Sequence, residues 1–296
     1  MGANRRDRTE TATANDANGA NKDGVGKNIF TAGRKVADED GIMAELQRKV
    51  ALCLMAHPDD AEFLCGGTLI RLARSGWEVH IASMAPGDCG TMTETRWDIS
   101  SIRTQEARRA AALIGAVYHC LDERDGFIAY ERIALQKCVD LFRRVAPTLV
   151  VTHAAKDYMI DHEMTSLLAR QASFLHGAPN ASGVPLLPGT MIPWFYYADP
   201  AESIDPYGNT IEPTTVIDIS EQLELKKEML ACHASQRDWL RAHHGTDEYL
   251  ETMIRWSGGR GRLIGTKAAE AFVQHRGHAY PQNDLLAELF PRPMVV

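Results

Sequence analysis

The sequence predicts a doubly wound α/β fold, in which a mostly parallel sheet is covered by helices on both faces. Short apolar runs alternate along the chain with longer segments whose apolar residues recur at helical spacing. Crossover segments of this kind connect parallel strands. The chain has 296 residues, of which 45% are hydrophobic and 24% charged, so its length and composition suffice to bury such a core.

The first strand and helix set the pattern. Residues 50–56 are continuously apolar, as expected of a strand that is buried on both faces. In residues 66–75, the side chains of Leu69, Ile70 and Leu72 fall on one helical stripe. Similar apolar runs predict the other strands, at residues 77–84, 117–121, 148–152, 193–198 and 214–219.

The remaining helices lie between these runs. They are predicted at residues 100–114, 131–145, 162–176 and 220–233. In the second of them, one face carries Ile133, Cys138, Leu141, Phe142 and Val145. We expect residues 257–296 to wrap the site or to form a subunit contact, which leaves a homo-oligomer as an open alternative.

Residues 1–43 are predicted to be a flexible leader. They are rich in Ala, Asn, Asp, Thr and Gly, and Phe30 is their only aromatic residue. Without a sustained helical or strand period, they bury too little apolar surface to offset the entropy of ordering. Residues 44–296 contain no clean linker and are predicted to form one domain.

Charge and composition exclude several classes of function. The 32 Lys and Arg residues and 39 Asp and Glu residues give a net charge of -7, which argues against nucleic acid or an anionic membrane surface as the partner. No run approaches the roughly 18 to 20 apolar residues of a membrane span. The six cysteines form no C-x-x-C pair, as expected of a reducing compartment. We therefore expect a cytoplasmic protein that acts on a small molecule.

An unusual polar cluster follows the first strand, where parallel sheets bind ligands. The strand does not open into G-x-G-x-x-G, and no G-x-x-x-x-G-K-[ST] occurs in the chain. Instead it runs into His57, Asp59, Asp60 and Glu62. Three carboxylates this close repel one another unless a cation or a proton lies among them. A divalent metal ion is the simplest explanation.

A catalytic zinc ion usually takes three protein ligands and keeps one position open. One histidine and one carboxylate of the first loop supply two of them. His162 is the candidate for the third ligand, because the start of its helix lies beside the first loop if the strands at residues 50–56 and 148–152 are neighbours. Such a set suits Zn²⁺, and Fe²⁺ and Mn²⁺ are chemically admissible.

The sequence resembles the LmbE/PIG-L family of metal-dependent de-N-acetylases, which act on N-acetylglucosaminyl and related amides. The resemblance covers roughly residues 50–275. The segments that carry it are Ala56-His57-Pro58-Asp59-Asp60, Pro86-Gly87-Asp88-Cys89-Gly90, Arg103 with Glu106 and Leu113-Ile114-Gly115, Thr152-His153 through Asp161-His162, and His233-x-Ser235-Gln236. It implies a Rossmann-like three-layer sandwich, Zn²⁺ held by His57, Asp60 and His162, and Asp59 as the catalytic carboxylate.

The chemistry agrees with these implied roles. Zinc lowers the pKa of bound water toward about 7 and polarises an amide carbonyl. Metal-bound water then attacks the amide, and Asp59 takes the water proton and returns it to the leaving amine. The structural alternative for Asp59 is the N-cap of the helix that follows.

One position departs from the family pattern. The family commonly places an oxyanion-stabilising histidine three positions before the last metal ligand, where this chain has Met159. A thioether donates no hydrogen bond. Either the metal stabilises the oxyanion alone, or Tyr158, His153 or another donor replaces the histidine, or catalysis is weak or lost.

Three further residues are candidates for substrate contact, each with an alternative. Arg103 resembles a family arginine that binds substrate hydroxyl or phosphate groups, or it pairs with Glu106 one helical turn away. Asp88 binds sugar hydroxyls or shapes its Gly-flanked turn. His233 lines or braces the site, or it caps a helix end at the surface.

The prediction is a zinc hydrolase that removes an acetyl or acyl group from an amino-sugar conjugate such as an N-acetylglucosamine derivative. A hydrolase of another small amide remains an alternative. Because of Met159, so does a non-catalytic, metal-dependent carbohydrate-binding protein. A nucleotide-binding protein without a metal is the third alternative.

Overall fold

The computed structural model describes residues 48–237 and 248–291. The predicted leader, residues 1–43, lies outside them. The described strands are β1 Val50–Met55, β2 Glu78–Ser83, β3 Val117–Cys120, β4 Leu149–Thr152, β5 Trp194–Ala198, β6 Thr215–Asp218 and β7 Ala269–Gln274. The described helices are α1 Asp60–Arg74, α2 Arg96–Ala112, α3 Arg132–Val145, α4 Ile160–Leu175, α5 Leu223–Ala231, α6 Glu248–Leu263 and α7 Leu285–Leu289.

The strands form one mixed sheet in the order β3-β2-β1-β4-β5-β7-β6. The first five strands of this order pair in parallel, and β7 pairs antiparallel with both β5 and β6. The predicted mostly parallel α/β architecture is therefore confirmed. In particular, β1 and β4 are neighbours, with Leu54 in register with Thr152.

Two apolar layers bury the sheet. Alternate side chains of β1 point to opposite faces, as the pleat requires. Ala51, Cys53 and Met55 belong to a core cluster shared with α1, α2 and α5. Leu52 and Leu54 belong to a second cluster that includes residues of α3 and α4. This double burial explains why the strand has no polar residue.

Some element boundaries differ from the sequence prediction. Helix α1 begins at Asp60 rather than at residue 66, so the acidic cluster lies in a helical first turn. That position suits carboxylates, because the N-terminal end of a helix carries positive partial charge. Helix α2 begins earlier as well, where the Thr95 hydroxyl accepts the Asp98 N–H. Ile133 is 58% exposed and does not share the buried face of α3.

Strand β7 was not predicted and lies within residues expected to wrap the site or contact a subunit. Its second residue is Glu270, a charged residue that interrupts the apolar pattern. The carboxylate is buried and forms an ion pair with the Lys226 ammonium at 2.7 Å. A buried charge of this kind requires a partner of opposite charge. The sequence around Glu270 does not show that Lys226 is this partner.

Glu270 also stabilises a kink in α1. Cys65 has non-helical backbone angles, φ -141° and ψ 15°. The kink separates the first turn of α1, which carries the acidic cluster, from the rest of the helix. The Gly67 and Thr68 N–H groups beyond it donate to the Glu270 carboxylate at 2.8 and 2.7 Å. No helix in the described part of the chain has the length and apolarity needed to cross a membrane.

Candidate metal centre and active site

The loops after β1 and β4 lie side by side because these strands are parallel neighbours. His57 follows β1, Asp60 is the first residue of α1, and His162 lies in the first turn of α4. The imidazole centroids of His57 and His162 are 5.5 Å apart. The structure thus brings together the three residues that were predicted to hold a metal ion.

His57 uses its two ring nitrogens differently. Its Nε2 lies 3.1 Å from Oδ1 of Asp125 and 3.2 Å from Oδ2 of Asp161. Its Nδ1 faces Oδ2 of Asp60 at 3.4 Å. Metal-binding histidines commonly give one ring N–H to a carboxylate, which fixes the ring and leaves the other nitrogen for the metal.

His162 shows the same arrangement with its nitrogens exchanged. Its Nδ1 lies 2.9 Å from Oδ1 of Asp157, and its Nε2 faces Oδ1 of Asp60 at 3.6 Å. Each histidine is therefore held by a carboxylate on one side and turns its second nitrogen toward Asp60.

These donor atoms fit a small divalent cation. One ligand atom from each of His57, Asp60 and His162 can be chosen so that all lie within 4.8 Å of one another. Donors about 2.0 to 2.1 Å from a tetrahedral zinc ion are about 3.3 Å apart. His57 Nδ1 lies 3.4 Å from Oδ2 of Asp60, and His162 Nε2 lies 3.6 Å from Oδ1 of the same carboxylate. The geometry would suit other small cations of similar bond length.

Two other potential donor groups share these histidines. One contains His153 and Asp157 with His162, and the other contains Asp125 and Asp161 with His57. Their members already have local partners. His153 Nε2 accepts the Ala56 N–H, and Asp161 accepts the N–H groups of Gly126 and Ile128. Oδ2 of Asp60 also accepts the His57 backbone N–H at 2.7 Å, but only in the group centred on Asp60 do His57 and His162 both turn a nitrogen toward one carboxylate.

The electrostatics of the cluster favour opposite charges on its members. Burial raises the pKa of Asp60, but the adjacent His162 and His153 outweigh it and hold that pKa well below its usual range. Burial lowers the pKa of His162, but Asp60 and Asp157 raise it overall. Asp60 thus attracts both histidines, whereas the positive charges of His57 and His162 oppose each other.

Asp59 occupies a strained backbone position beside this group. Its φ of 107° lies in the left-handed region, which non-glycine residues rarely adopt. Oδ2 of Asp59 accepts a hydrogen bond from the Tyr249 hydroxyl at 2.7 Å and lies 3.4 Å from Nη2 of Arg103. Burial raises the pKa of Asp59, and Arg103 opposes that shift. Asp59 does not cap α1 through its side chain.

Arg103 lies against Asp59 rather than against Glu106. Its Nη2 donates to the Pro58 carbonyl at 2.8 Å, and the arginine is only 4% exposed. Glu106 instead accepts the N–H and hydroxyl of Ser235. A Cβ at Gly87, whose φ is 77°, would collide with the Arg103 guanidinium. The turn after β2 therefore requires glycine for Arg103 to reach the site.

Three of the other predicted substrate contacts are enclosed. Asp88 accepts the Asp125 N–H and pairs with two arginines. His153 is fully buried, and burial together with His162 lowers its pKa to about 4. His233 is also fully buried, with Nε2 3.4 Å from Oε2 of Glu62. Enclosure argues against direct substrate contact by these three side chains and favours the bracing alternative for His233.

Tyr158 is the predicted substrate contact that remains open to solvent. It is 69% exposed, and its ring packs edge-on against His162 at 5.4 Å. Met159 is the N-cap residue of α4, and its N–H donates to Oδ1 of Asp157 at 3.2 Å. The departure from the family pattern thus lies at the same helix start as His162.

No role was predicted for three residues of this site, Asp157, Asp161 and Tyr249, and Asp125 with Gly126 was expected to form a turn rather than to contact a sugar. Asp125 follows β3 at the same edge of the sheet, so the strand-end rule could have indicated it. Asp157 and Asp161 lie in the loop that leads to His162. Tyr249 is 190 positions from Asp59, and no sequence signal connects the two.

Comparisons with known proteins identify a family profile and several similar enzymes. Residues 52–173 match the family profile described as PIG-L: GlcNAc-PI de-N-acetylase. A 4-oxalmesaconate hydratase of Pseudomonas putida is 26% identical over 258 residues, which are 83% of this chain and 91% of the relative. A diacetylchitobiose deacetylase of Thermococcus kodakarensis is 29% identical over 196 residues, 64% of this chain and 70% of the relative.

A solved structure shares the fold. It is an N,N'-diacetylchitobiose deacetylase from Pyrococcus horikoshii, with a TM-score of 0.65 and 23% identity. The match covers 86% of this chain and 100% of that chain.

Proposed function

Residues 52–173 belong to the PIG-L family, and from this premise we propose that the protein is a metal-dependent deacetylase of amino-sugar conjugates. The observation that carries the proposal is the facing arrangement of His57 Nδ1 and His162 Nε2 across Asp60. The deacetylase relative from Thermococcus kodakarensis supports an N-acetyl group as the reacting unit.

His57, Asp60 and His162 would hold the metal ion. When bound, a divalent cation supplies Lewis-acid chemistry, which polarises the amide carbonyl and makes water a stronger nucleophile. Asp125 and Asp161 orient His57, and Asp157 orients His162, so both rings are fixed before the ion arrives.

Asp59 is the proton carrier of this proposal. It removes a proton from the attacking water and returns it to the nitrogen of the leaving amine. Its Oδ2 is held by Tyr249 and faces Arg103, whereas Oδ1 has no hydrogen-bond partner among the described residues. Oδ1 is therefore the oxygen that would exchange the proton. The raised pKa of Asp59, caused first by burial, makes its carboxylate a better base.

Tyr158 is the best placed replacement for the missing oxyanion histidine. Its hydroxyl can donate a hydrogen bond, and the residue is exposed beside His162. His153, the other named replacement, is fully buried and bonded through Nε2 to the Ala56 N–H. We therefore assign oxyanion stabilisation to Tyr158 together with the metal.

Hydration of a small unsaturated acid is the second candidate function. The observation in its favour is the hydratase relative from Pseudomonas putida, which aligns with 83% of this chain. Both reactions require activation of water and a proton carrier, so the same residues would serve either of them. A non-catalytic carbohydrate-binding protein is the alternative if neither reaction occurs.

The test is a reaction panel on the full chain, purified without added metal. Acetate release is measured from N-acetylglucosamine, diacetylchitobiose and non-sugar acetamides, and hydration of 4-oxalmesaconate is measured by loss of its absorbance. Each assay is repeated after chelation and after return of Zn²⁺, Fe²⁺ or Mn²⁺. The proposal expects metal-dependent acetate release from the sugars, lost in Asp59→Asn and kept in Asp122→Asn.

Asp122 is a suitable control because it is exposed, and its φ of 54° suits asparagine. Hydration without acetate release would replace the deacetylase proposal by the second candidate. Equal binding of the sugars by wild-type protein and Asp59→Asn, with no turnover by either, would favour the binding protein.

A further inference from the structure

We propose that Arg96 and Arg124 form a subsite for an anionic group of the substrate, a carboxylate or a phosphate. Both arginines pair through Nε with the same oxygen, Oδ2 of Asp88, at 2.7 and 3.2 Å. Two positive charges thus converge on the Asp88 carboxylate, and a carboxylate oxygen of Asp125 lies within 4.8 Å of it.

The two guanidinium groups remain accessible. Their side chains are 44% and 50% exposed, whereas the Asp88 side chain between them is 1% exposed. The Nε atoms are the ones that face Asp88, although neither forms a hydrogen bond with its Oδ2, and Arg124 also contacts the Cys89 thiol. Within residues 48–237 and 248–291, the terminal Nη atoms of the two arginines form no hydrogen bond to a protein oxygen. Planar N–H donors of this kind match the geometry of carboxylate and phosphate oxygens.

An aromatic ring lies beside each of the two guanidinium groups. The Arg96 guanidinium lies over the Trp97 ring at 4.8 Å, and the Arg124 guanidinium lies over the Phe127 ring at 5.3 Å. Trp97 and Phe127 are themselves exposed. Cation–π contact of this kind restrains each arginine side chain, so less side-chain freedom is lost when an anion binds.

The subsite adjoins the proposed reacting centre. Oδ1 of Asp88 accepts the Asp125 N–H at 2.8 Å, and Asp125 is 3.1 Å from Nε2 of His57. Arg124 directly precedes Asp125 in the chain. A substrate whose reacting group meets the metal centre would therefore bring a nearby substituent to these arginines.

The inner arginine of the site does not supply this function. Arg103 is buried and donates to the Pro58 and Gly87 carbonyls beside Asp59. The metal centre itself is lined with carboxylates, which repel a substrate anion at close range. Arg96 and Arg124 offset that repulsion at the rim and fix which end of the substrate enters first.

This inference rests on the proposed function and names its substrate class. Its test measures binding apart from turnover, by calorimetric titration of the full chain with three probes. N-acetylglucosamine is neutral, N-acetylmuramic acid adds a carboxylate, and N-acetylglucosamine 6-phosphate adds a phosphate. We expect at least one anionic probe to bind about tenfold or more tightly than the neutral probe, and the tighter of the two identifies the preferred anion.

Two sets of variants test whether Arg96 and Arg124 cause the tighter binding of the anionic probes. The double variant Arg96→Ala/Arg124→Ala is expected to bind all three probes alike, and Arg74→Ala, an exposed arginine at the far end of α1, is expected to keep the preference. Should the alanine variant fail to fold, Arg96→Lys/Arg124→Lys keeps both charges and a donor to Asp88 but loses the planar donors. It is expected to reduce the preference severalfold.

Three results would overturn the subsite. They are equal binding of neutral and anionic probes by the wild-type protein, a preference that survives in the alanine variant, and an unchanged preference in the lysine variant. Acetate release is recorded separately for each probe. An arginine-dependent anion preference without acetate release would refute the deacetylase proposal and leave the subsite standing.

Discussion

The hydroxyl of Tyr249 donates a hydrogen bond to Oδ2 of Asp59 at 2.7 Å, although the two residues are 190 positions apart. Helix α6, which carries Tyr249, thereby reaches the loop that follows β1. Arg103 lies 3.4 Å from the same oxygen. These two donors hold Oδ2 and so fix the carboxylate of Asp59. Its other oxygen, Oδ1, remains available for the proposed proton transfer.

Removal of the Tyr249 hydroxyl is expected to slow catalysis without weakening substrate binding. A hydrogen bond to a charged group contributes about 1.5 to 3 kcal/mol, so Tyr249→Phe should lower kcat about tenfold and leave KM nearly unchanged. Steady-state kinetics on the substrate that the panel identifies give both values. Tyr207→Phe, at a 78% exposed tyrosine, is the matched control. An unchanged kcat would show that Tyr249 does not position Asp59.

Tyr158 is expected to act in the transition state. Loss of one oxyanion donor costs about 10² to 10³ in rate, so Tyr158→Phe should lower kcat by up to that factor while bound metal stays constant. Met159→His in the Tyr158→Phe background should recover part of the rate, because it restores the family's donor at its usual position. If Tyr158→Phe keeps full kcat, the metal or another donor stabilises the oxyanion.

The sequence predicted the parts of this site that depend on local order and strand adjacency. His57 and Asp60 are close in the chain, and His162 joins them because β1 and β4 pair in parallel. Strand ends in a parallel sheet share one edge, so this meeting follows from the alternating pattern. The direction of each imidazole does not follow from it, because Asp125 and Asp157 set that direction through their side chains.

The contacts that Tyr249 and Glu270 make could not be predicted from the sequence. Strand β7 lies antiparallel between β5 and β6, and its buried Glu270 pairs with Lys226 of α5. Tyr249 reaches Asp59 only once α6 has packed beside α1. Each of these contacts joins segments with no shared periodicity or motif, so only the assembled fold reveals them.

Asp157 is expected to determine metal affinity without binding the metal. It pairs with Nδ1 of His162 at 2.9 Å and so holds the ring. Changes to such carboxylates typically weaken metal binding about 10- to 100-fold, and Asp157→Asn should do so for Zn²⁺ in a competition titration with a chromophoric chelator. Asp122→Asn should bind zinc like the wild type. Unchanged affinity in Asp157→Asn would mean that His162 is oriented by its surroundings or does not bind the metal.

The buried pair of Lys226 and Glu270 is expected to dominate the stability of the kinked helix. Removal of one partner of a buried ion pair costs about 3 to 5 kcal/mol, because the other charge stays in the interior without compensation. Lys226→Met should therefore lower the free energy of unfolding by about that amount in urea titrations. Lys227→Met is the matched control, since Lys227 pairs with the exposed Glu224 and such surface pairs contribute at most about 1 kcal/mol.

The double variant Lys226→Met/Glu270→Gln separates charge from hydrogen bonding. The glutamine oxygen still accepts from Gly67 or Thr68, whose N–H groups the Glu270 carboxylate binds, and no unpaired charge remains. The double variant should therefore be more stable than Lys226→Met alone, although it contains one more substitution. If it is instead less stable, the ionised carboxylate is required for the kink, and the cost of Lys226→Met comes from lost packing around Ser257 rather than from an uncompensated charge.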